Sequence, residues 1–359
     1  MTKIEWTEAT WNPIVGCSVV SPGCTNCYAM KTAARLAKNP ATPHYAGTVQ
    51  DSRAGPVWTG KVALAEKALF APLKRRKPTM YFVNSMGDLF HEDIPEEWID
   101  RVFAIMALCP RHTFQVLTKR ADRMRSYLTS HERRMSAAAY ASVWHATGAW
   151  NIPDDVSLLW PLPNVWLGVS AEDQERADLR ISDLLATPAA VRFVSVEPML
   201  GAVDLTWLHA IDNGDGVLDS TVGRHWEAVL PPWGAEYRPR RRGHTDRMMR
   251  RQFIGKVVPR LDWVICGGES GSHARPMHPD WPRSLRDQCN AAGVPFFFKQ
   301  WGAWLPEDHV IDANPPDRVF NSCDTRLDDY GMRWYRVGKK HAGRLLDGGE
   351  WNEMPEVAK

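Results

Sequence analysis

Val165-Trp-Leu-Gly-Val-Ser170, an amphipathic stretch over 173–186, and Val191-Arg-Phe-Val-Ser-Val196 follow one another in the middle of this chain. The two apolar runs are short and rich in valine, as buried strands are, and the stretch between them has the length and pattern of a helix. Two parallel strands need a crossover of this kind, so the segment predicts a strand–helix–strand unit. The same rhythm recurs outward in both directions. Met80-Tyr-Phe-Val-Asn-Ser85, Thr113-Phe-Gln-Val-Leu-Thr118, Leu261-Asp-Trp-Val-Ile-Cys266 and Val294-Pro-Phe-Phe-Phe-Lys299 are further runs, and 96–108 and 280–292 are helix-like. Counting Pro13-Ile-Val-Gly16, there are seven candidate strands. Seven such units in about 300 residues predict an α/β fold, a complete or partial (β/α) barrel of the TIM type.

Polar residues follow the runs: Gly87-Asp88, Lys119-Arg120, Ser170 and Glu172, Glu197, Gly267-Gly268-Glu269-Ser270, and Lys299-Gln300. A single polar residue there marks only the start of a loop. Six strands all ending in acid, base or glycine mark the C-terminal edge where barrels of this kind carry their chemistry. Two stretches break the rhythm, 129–162 and 206–258, and are read as insertions. The second carries Arg238-Pro-Arg-Arg-Arg-Gly-His-Thr-Asp-Arg-Met-Met-Arg-Arg251, with seven arginines against one aspartate. The barrel is expected over 1–301 and a C-terminal extension over 302–359.

The chain has 359 residues, 44% of them hydrophobic and 24% charged, which predicts a globular protein. A net charge of +2 gives no whole-molecule argument for nucleic acid, though a local patch remains open. No run approaches the roughly 18 apolar residues of a membrane span, and the polar start Met1-Thr-Lys-Ile-Glu-Trp does not resemble a signal peptide. A cytoplasmic protein with reduced thiols is expected. Cys109 and Cys266 lie in apolar runs and read as small buried residues. Most of the 17 tryptophans read as core or lid packing, with stacking on bases as the alternative.

Cys17, Cys24 and Cys27 stand apart from this background. They share one short segment with C-x6-C-x2-C spacing. Three thiolates there can hold three irons of a four-iron cluster and leave the fourth iron for another ligand. A zinc site would need a fourth ligand, for which His44 or His91 is available, and a redox dithiol would leave Cys17 without a role. Gly16 and Gly23 each precede a cysteine and allow close backbone approach.

Three clustered cysteines after the first strand of a β/α barrel resemble the radical S-adenosylmethionine (SAM) superfamily, whose common spacing is C-x3-C-x2-C. The segments Ile4-Glu-Trp-Thr-Glu-Ala-Thr-Trp-Asn-Pro13, Met86-Gly-Asp-Leu-Phe-His-Glu92, Phe193-Val-Ser-Val-Glu-Pro-Met-Leu-Gly201, Gly267-Gly-Glu-Ser-Gly271 and Phe297-Phe-Lys-Gln-Trp-Gly302 are similar to a phage-associated family of uncharacterised proteins. That family is regarded as radical-SAM-like and resembles the spore photoproduct lyase type of barrel. The resemblance implies a [4Fe-4S] cluster on Cys17, Cys24 and Cys27, with SAM on its open iron. An external electron donor would drive SAM cleavage to a 5′-deoxyadenosyl radical, which abstracts hydrogen from a substrate. Gly87 and Asp88 then fall where the SAM amino group is contacted, and Ser170 and Glu172 where its ribose is held. Ser170 could instead cap the following helix, and Asp88 could cap the one near Pro95. Lys119 and Arg120 read as ligands of the SAM carboxylate or a substrate phosphate, or as loop charges. Glu197 and Lys299 are candidate catalytic residues, with an ion pair from Glu197 to Lys119 or Lys299 as the simpler alternative. Gly267, Gly268 and Glu269 allow approach of adenine or phosphate, or form a tight turn.

Three functions compete at this level. One is radical SAM chemistry on a nucleic acid or nucleotide in phage biology. It is supported by the arginine run, with Arg240, Arg241, Arg242, Arg250 and Arg251 as phosphate contacts. The second is the same chemistry on a small molecule or peptide, and the third is a zinc-stabilised nucleic-acid-binding module without catalysis. A partner protein, or the host cytoplasm as location, follows only from the phage link.

Overall fold

The computed structural model describes residues 4–146, 160–209, 225–227, 260–328 and 331–356. The arginine run at 238–251, with its five candidate contacts, lies outside the described residues.

Seven strands form one parallel sheet in sequence order: β1 (Ala9–Trp11), β2 (Met80–Val83), β3 (Thr113–Thr118), β4 (Val165–Ser170), β5 (Val191–Val196), β6 (Trp263–Gly267) and β7 (Phe296–Gln300). Six coincide with apolar runs of the sequence. The first does not. Ile14–Val15 leaves the sheet and pairs antiparallel with Ala63–Leu64, while Ala9–Trp11 pairs with Tyr81–Val83. The expectation that Pro13-Ile-Val-Gly16 is a sheet strand is therefore corrected. Its apolar side chains are buried, Ile14 in the largest core cluster and Val15 in a smaller one against which Cys17 and Cys27 pack.

Among the described residues, helices of nine or more residues link the strands. Besides α1 (Tyr28–Ala37), they are α2 (Glu96–Ala107), α3 (Ala121–Thr129), α4 (His131–Ala146), α5 (Gln174–Ala186) and α6 (Asp280–Ala292). Asp173 caps α5, its carboxylate accepting the Arg176 N–H at 3.0 Å, so Ser170 is released from that role. Nor does Asp88 cap the next helix, since Pro95 stands at the start of α2. The main core fills the space between these helices and the sheet, and Cys109 and Cys266 are fully buried in it.

The sheet curls into a half-barrel. Trp6 shows why: its ring lies 4.8 Å from Phe82 on β2 and 6.2 Å from Trp263 on β6. In a flat sheet, strands four places apart would stand about 19 Å from each other. Trp6, Phe82, Trp166, Phe193, Trp263 and Phe297 thus fill the concave side as a second core, flooring the half-barrel. The β1 and β7 ends do not pair with each other, so the barrel is partial.

Residues after Trp301 cover the open β7 edge, which would otherwise leave unpaired backbone groups. Phe298 N–H donates to the Trp351 carbonyl at 2.9 Å, and Trp301 Nε1 donates to the Leu345 carbonyl at 2.7 Å. Asp347 binds Arg283 and Arg286 of α6, and Asp308 binds Arg283 and His309. Partial burial works against both carboxylates, but hydrogen bonds from these partners and the arginine charges hold them below the usual carboxylate range. Groups depressed in the folded state stabilise it above their unfolded pKa of about 3.9 and lose that contribution as pH falls below it. The melting temperature is therefore expected to drop between pH 5 and pH 3, and Asp347→Asn to shrink that drop in a calorimetric pH series. No helix among the described residues is long and apolar enough to cross a membrane.

Candidate functional site

The C-terminal ends of the strands surround a cavity of about 440 Å³, within the size range of small-molecule sites. Cys17, Cys24 and Cys27 all line it. From β2 and β3 come Gly87, Asp88, Lys119 and Arg120; from β4 and β5, Ser170 and Glu197; from β6 and β7, Gly268, Glu269 and Lys299. Glu172 and Gly267 lie behind this wall.

The cysteine segment is held as a rigid loop. Gly16 N–H donates to the Met86 carbonyl at 3.1 Å, and the Cys17 carbonyl accepts from Gly60 at 3.2 Å. Gly16 has φ +92°, and a Cβ on it would fall 2.1 Å from the Lys61 carbonyl oxygen, so only glycine fits. Pro22–Cys24 makes one tight turn, and Cys27 stands at the N-cap of α1.

Three charge pairs clamp this loop from outside. Asp88 accepts from Thr118 Oγ1 at 2.7 Å, the Phe90 and Lys119 N–H groups at 3.0 Å, and Arg120 Nη1 at 3.1 Å. Its acceptor sites are thus used within the protein. What it fixes is Arg120, which donates to Ser18 Oγ at 2.6 Å and to Cys17 Sγ at 3.7 Å. Glu172 is fully buried, paired with Lys119 at 3.2 Å and Arg180 at 3.0 Å. Its other oxygen accepts the Gly23 N–H at 3.2 Å. Burial would raise this carboxyl, but Lys119 and Arg180, aided by Ser21 and Gly23, hold it down to about 2. Glu269 takes Arg275 in a bidentate pair at 2.6 and 2.9 Å and also accepts from Asn26 Nδ2 at 3.1 Å. Arg275 continues to the Pro22 carbonyl at 2.9 Å.

The glycines serve close approach. A Cβ on Gly87 would come 2.9 Å from the Gly16 carbonyl, and one on Gly268 would fall 1.9 Å from the Trp301 carbonyl. Gly267 lies under the Glu197 and Lys299 side chains, where a Cβ would stand 3.4 Å from each. Those two residues form the ion pair allowed for above: Lys299 Nζ donates to Glu197 Oε1 at 2.7 Å.

Burial pushes the Cys17 thiol up to about 12, with Asp88 adding and Arg120 opposing; burial also raises Cys27, opposed by the Ala29 N–H. Both are neutral thiols at neutral pH when no metal binds, and metal binding would displace their protons. Arg120, Lys119 and the N-terminus of α1 are the positive groups that meet the thiolates once formed. No three His, Cys, Asp or Glu side chains among the described residues converge on a position for one ion. A cluster does not require such convergence, because each thiolate binds a different iron of the cube.

Three groups were not singled out from the sequence, and a fourth, Gln300, was noted there only as a strand-end residue. Arg180 and Arg275 complete the clamps. Asn84 and Gln300 line the cavity, are almost fully buried, and each has one polar atom, Asn84 Nδ2 and Gln300 Oε1, without a partner among the described residues. Such atoms are costly unless a ligand or water meets them. Their only sequence signal is that both close an apolar run.

Residues 1–355 match a family described as Protein of unknown function (DUF5131). No curated protein and no solved structure matches the chain. With nearly its whole length covered by that match, the chain belongs to the DUF5131 family.

Proposed function

We propose that this protein is a radical SAM enzyme acting on a nucleotide or nucleic acid. The observation that carries this reading is the cysteine loop itself: three thiols, clamped by three charge pairs, open onto a cavity of small-molecule size. A purely structural metal site is closed by protein ligands on all sides. A four-iron cluster held by the three cysteines would pass an electron from an external donor to SAM and so supply the radical chemistry.

The chain's own residues would do the rest. Cys17, Cys24 and Cys27 hold iron, and the N–H groups at the start of α1 and the Arg120 guanidinium offset the cluster's negative charge. Lys119, with one of its donors on Glu172, keeps others for the SAM carboxylate. Ser170 lines the same cavity, where it would serve as a ribose contact. The clamp residues Asp88, Glu172 and Glu269 orient the loop and do not touch the cofactor. Glu197, Lys299, Gln300 and Ser270 form the remaining wall and have no bond to the loop, which suits them to the substrate.

Anaerobic reconstitution with iron and sulfide, followed by a reductant and SAM, tests the reading. About four irons per chain and formation of 5′-deoxyadenosine are expected. Stoichiometric zinc with no 5′-deoxyadenosine would overturn it.

A further inference from the structure

Cations border the cavity where α1 meets the C-terminal extension. Tyr28, the first residue of α1, lines the cavity and is 55% exposed. Its hydroxyl donates to the Ser85 carbonyl at 3.0 Å, which holds the ring in place. Lys31, three residues on, is exposed and shares that side of the helix. Its Nζ donates to Ser272 Oγ at 2.9 Å. The Ser272 carbonyl accepts from Arg336 Nη2, so the two cations meet at one residue of the loop after β6. Three residues beyond Arg336 stands Lys339, which lines the cavity again, and exposed Lys340 follows it. Contacts and chain thus run from Tyr28 through Lys31, Ser272 and Arg336 to Lys339, and both ends of the run line the cavity.

The charges on this rim are only partly met. Lys339 pairs with Glu5 at 2.9 Å, and Arg336 with Asp324 at 3.4 Å. Lys31 and Lys340 meet no carboxylate among the described residues. Exposed ammonium groups keep donors for an anion, and spaced cations suit a ligand that carries several. An acidic peptide would use the cations and leave the Tyr28 ring without a role. A nucleic acid uses both, with phosphates on the cations and a base on the ring. A base offers its face to a ring, and reaches a cavity behind it, only when it is unpaired.

We propose that this rim binds a single-stranded nucleic acid, its phosphates on Lys31, Arg336, Lys339 and Lys340 and an unpaired base on the Tyr28 ring beside the cavity. The inference rests on the nucleotide reading above and narrows its substrate from a free nucleotide to a strand.

Fluorescence anisotropy of the full-length, metal-free protein with a labelled single strand of about 12 nucleotides, over a series of salt concentrations, tests it. Binding that weakens with salt is expected. Lys31→Ala and Lys340→Ala should each flatten the plot of log affinity against log salt by about 0.7, the loss of one phosphate contact. Tyr28→Ala should weaken binding roughly 5- to 150-fold and leave that slope unchanged. A misfolded variant would not separate slope from affinity in this way. The arginines at 238–251 stay in every variant, so binding through them alone would leave all three indistinguishable from the unaltered protein and would overturn the proposal. So would no binding, equal binding of a duplex of the same length, or equal binding of poly-glutamate. Strand binding without SAM cleavage would leave this surface standing while the radical reading fails, and cleavage without strand binding would do the reverse.

Discussion

Glu172→Ala is expected to destabilise the protein by about 3–5 kcal/mol, because it leaves two cations, Lys119 and Arg180, facing each other around a buried gap. The same change frees the Gly23 N–H and so loosens the turn that carries Cys24. Glu172→Gln preserves the shape and the Gly23 bond but removes the charge, and should fall between the two. Urea unfolding of the three proteins measures the effect. A second readout separates the clamp from a ligand role: iron retained per chain after reconstitution should fall in parallel with stability. Were Glu172 a ribose contact, as the resemblance implied, the alanine variant would lose SAM affinity and keep both its stability and its iron.

Serine at Cys17, Cys24 or Cys27 is expected to abolish iron retention at the site, since a hydroxyl remains protonated at neutral pH where a thiol yields to metal. Each single variant should lose the visible absorbance of the reconstituted protein and bring 5′-deoxyadenosine formation to background. Cys109→Ser is the matched control. Cys109 is buried in the main core, away from the cavity, and its replacement should leave iron content unchanged. Iron retained by all three single variants would exclude these thiols as ligands.

The sequence made the sheet legible because six of its strands are buried on both faces, so their runs stand out as unbroken apolar segments. β1 escaped notice for the opposite reason. It is a three-residue edge strand containing Thr10, and the more apolar Ile14–Val15 nearby serves a different ladder. At the site, the gathering of strand-end residues followed from strand direction alone. Their pairing did not. Asp88 takes Arg120, Glu172 takes Lys119 and Arg180, and Glu269 takes Arg275, out of several bases within reach of the same edge. Only the folded geometry selects the partner. For the same reason, the bonds of Glu172 and Glu269 to the cysteine loop, and the hold of Asp88 on Arg120 beside it, were not read from the sequence. Asn84 and Gln300 show the remaining gap, since an amide left with one unmet atom is invisible until its neighbours are placed.

Electron paramagnetic resonance of the reduced, reconstituted protein, recorded before and after adding SAM, tests the central claim most directly. A three-cysteine cluster with an open iron predicts a [4Fe-4S]⁺ signal whose g-values shift on SAM addition, because SAM then ligates that iron. A protein that takes up zinc and gives no such signal, or a cluster signal unchanged by SAM, would contradict it.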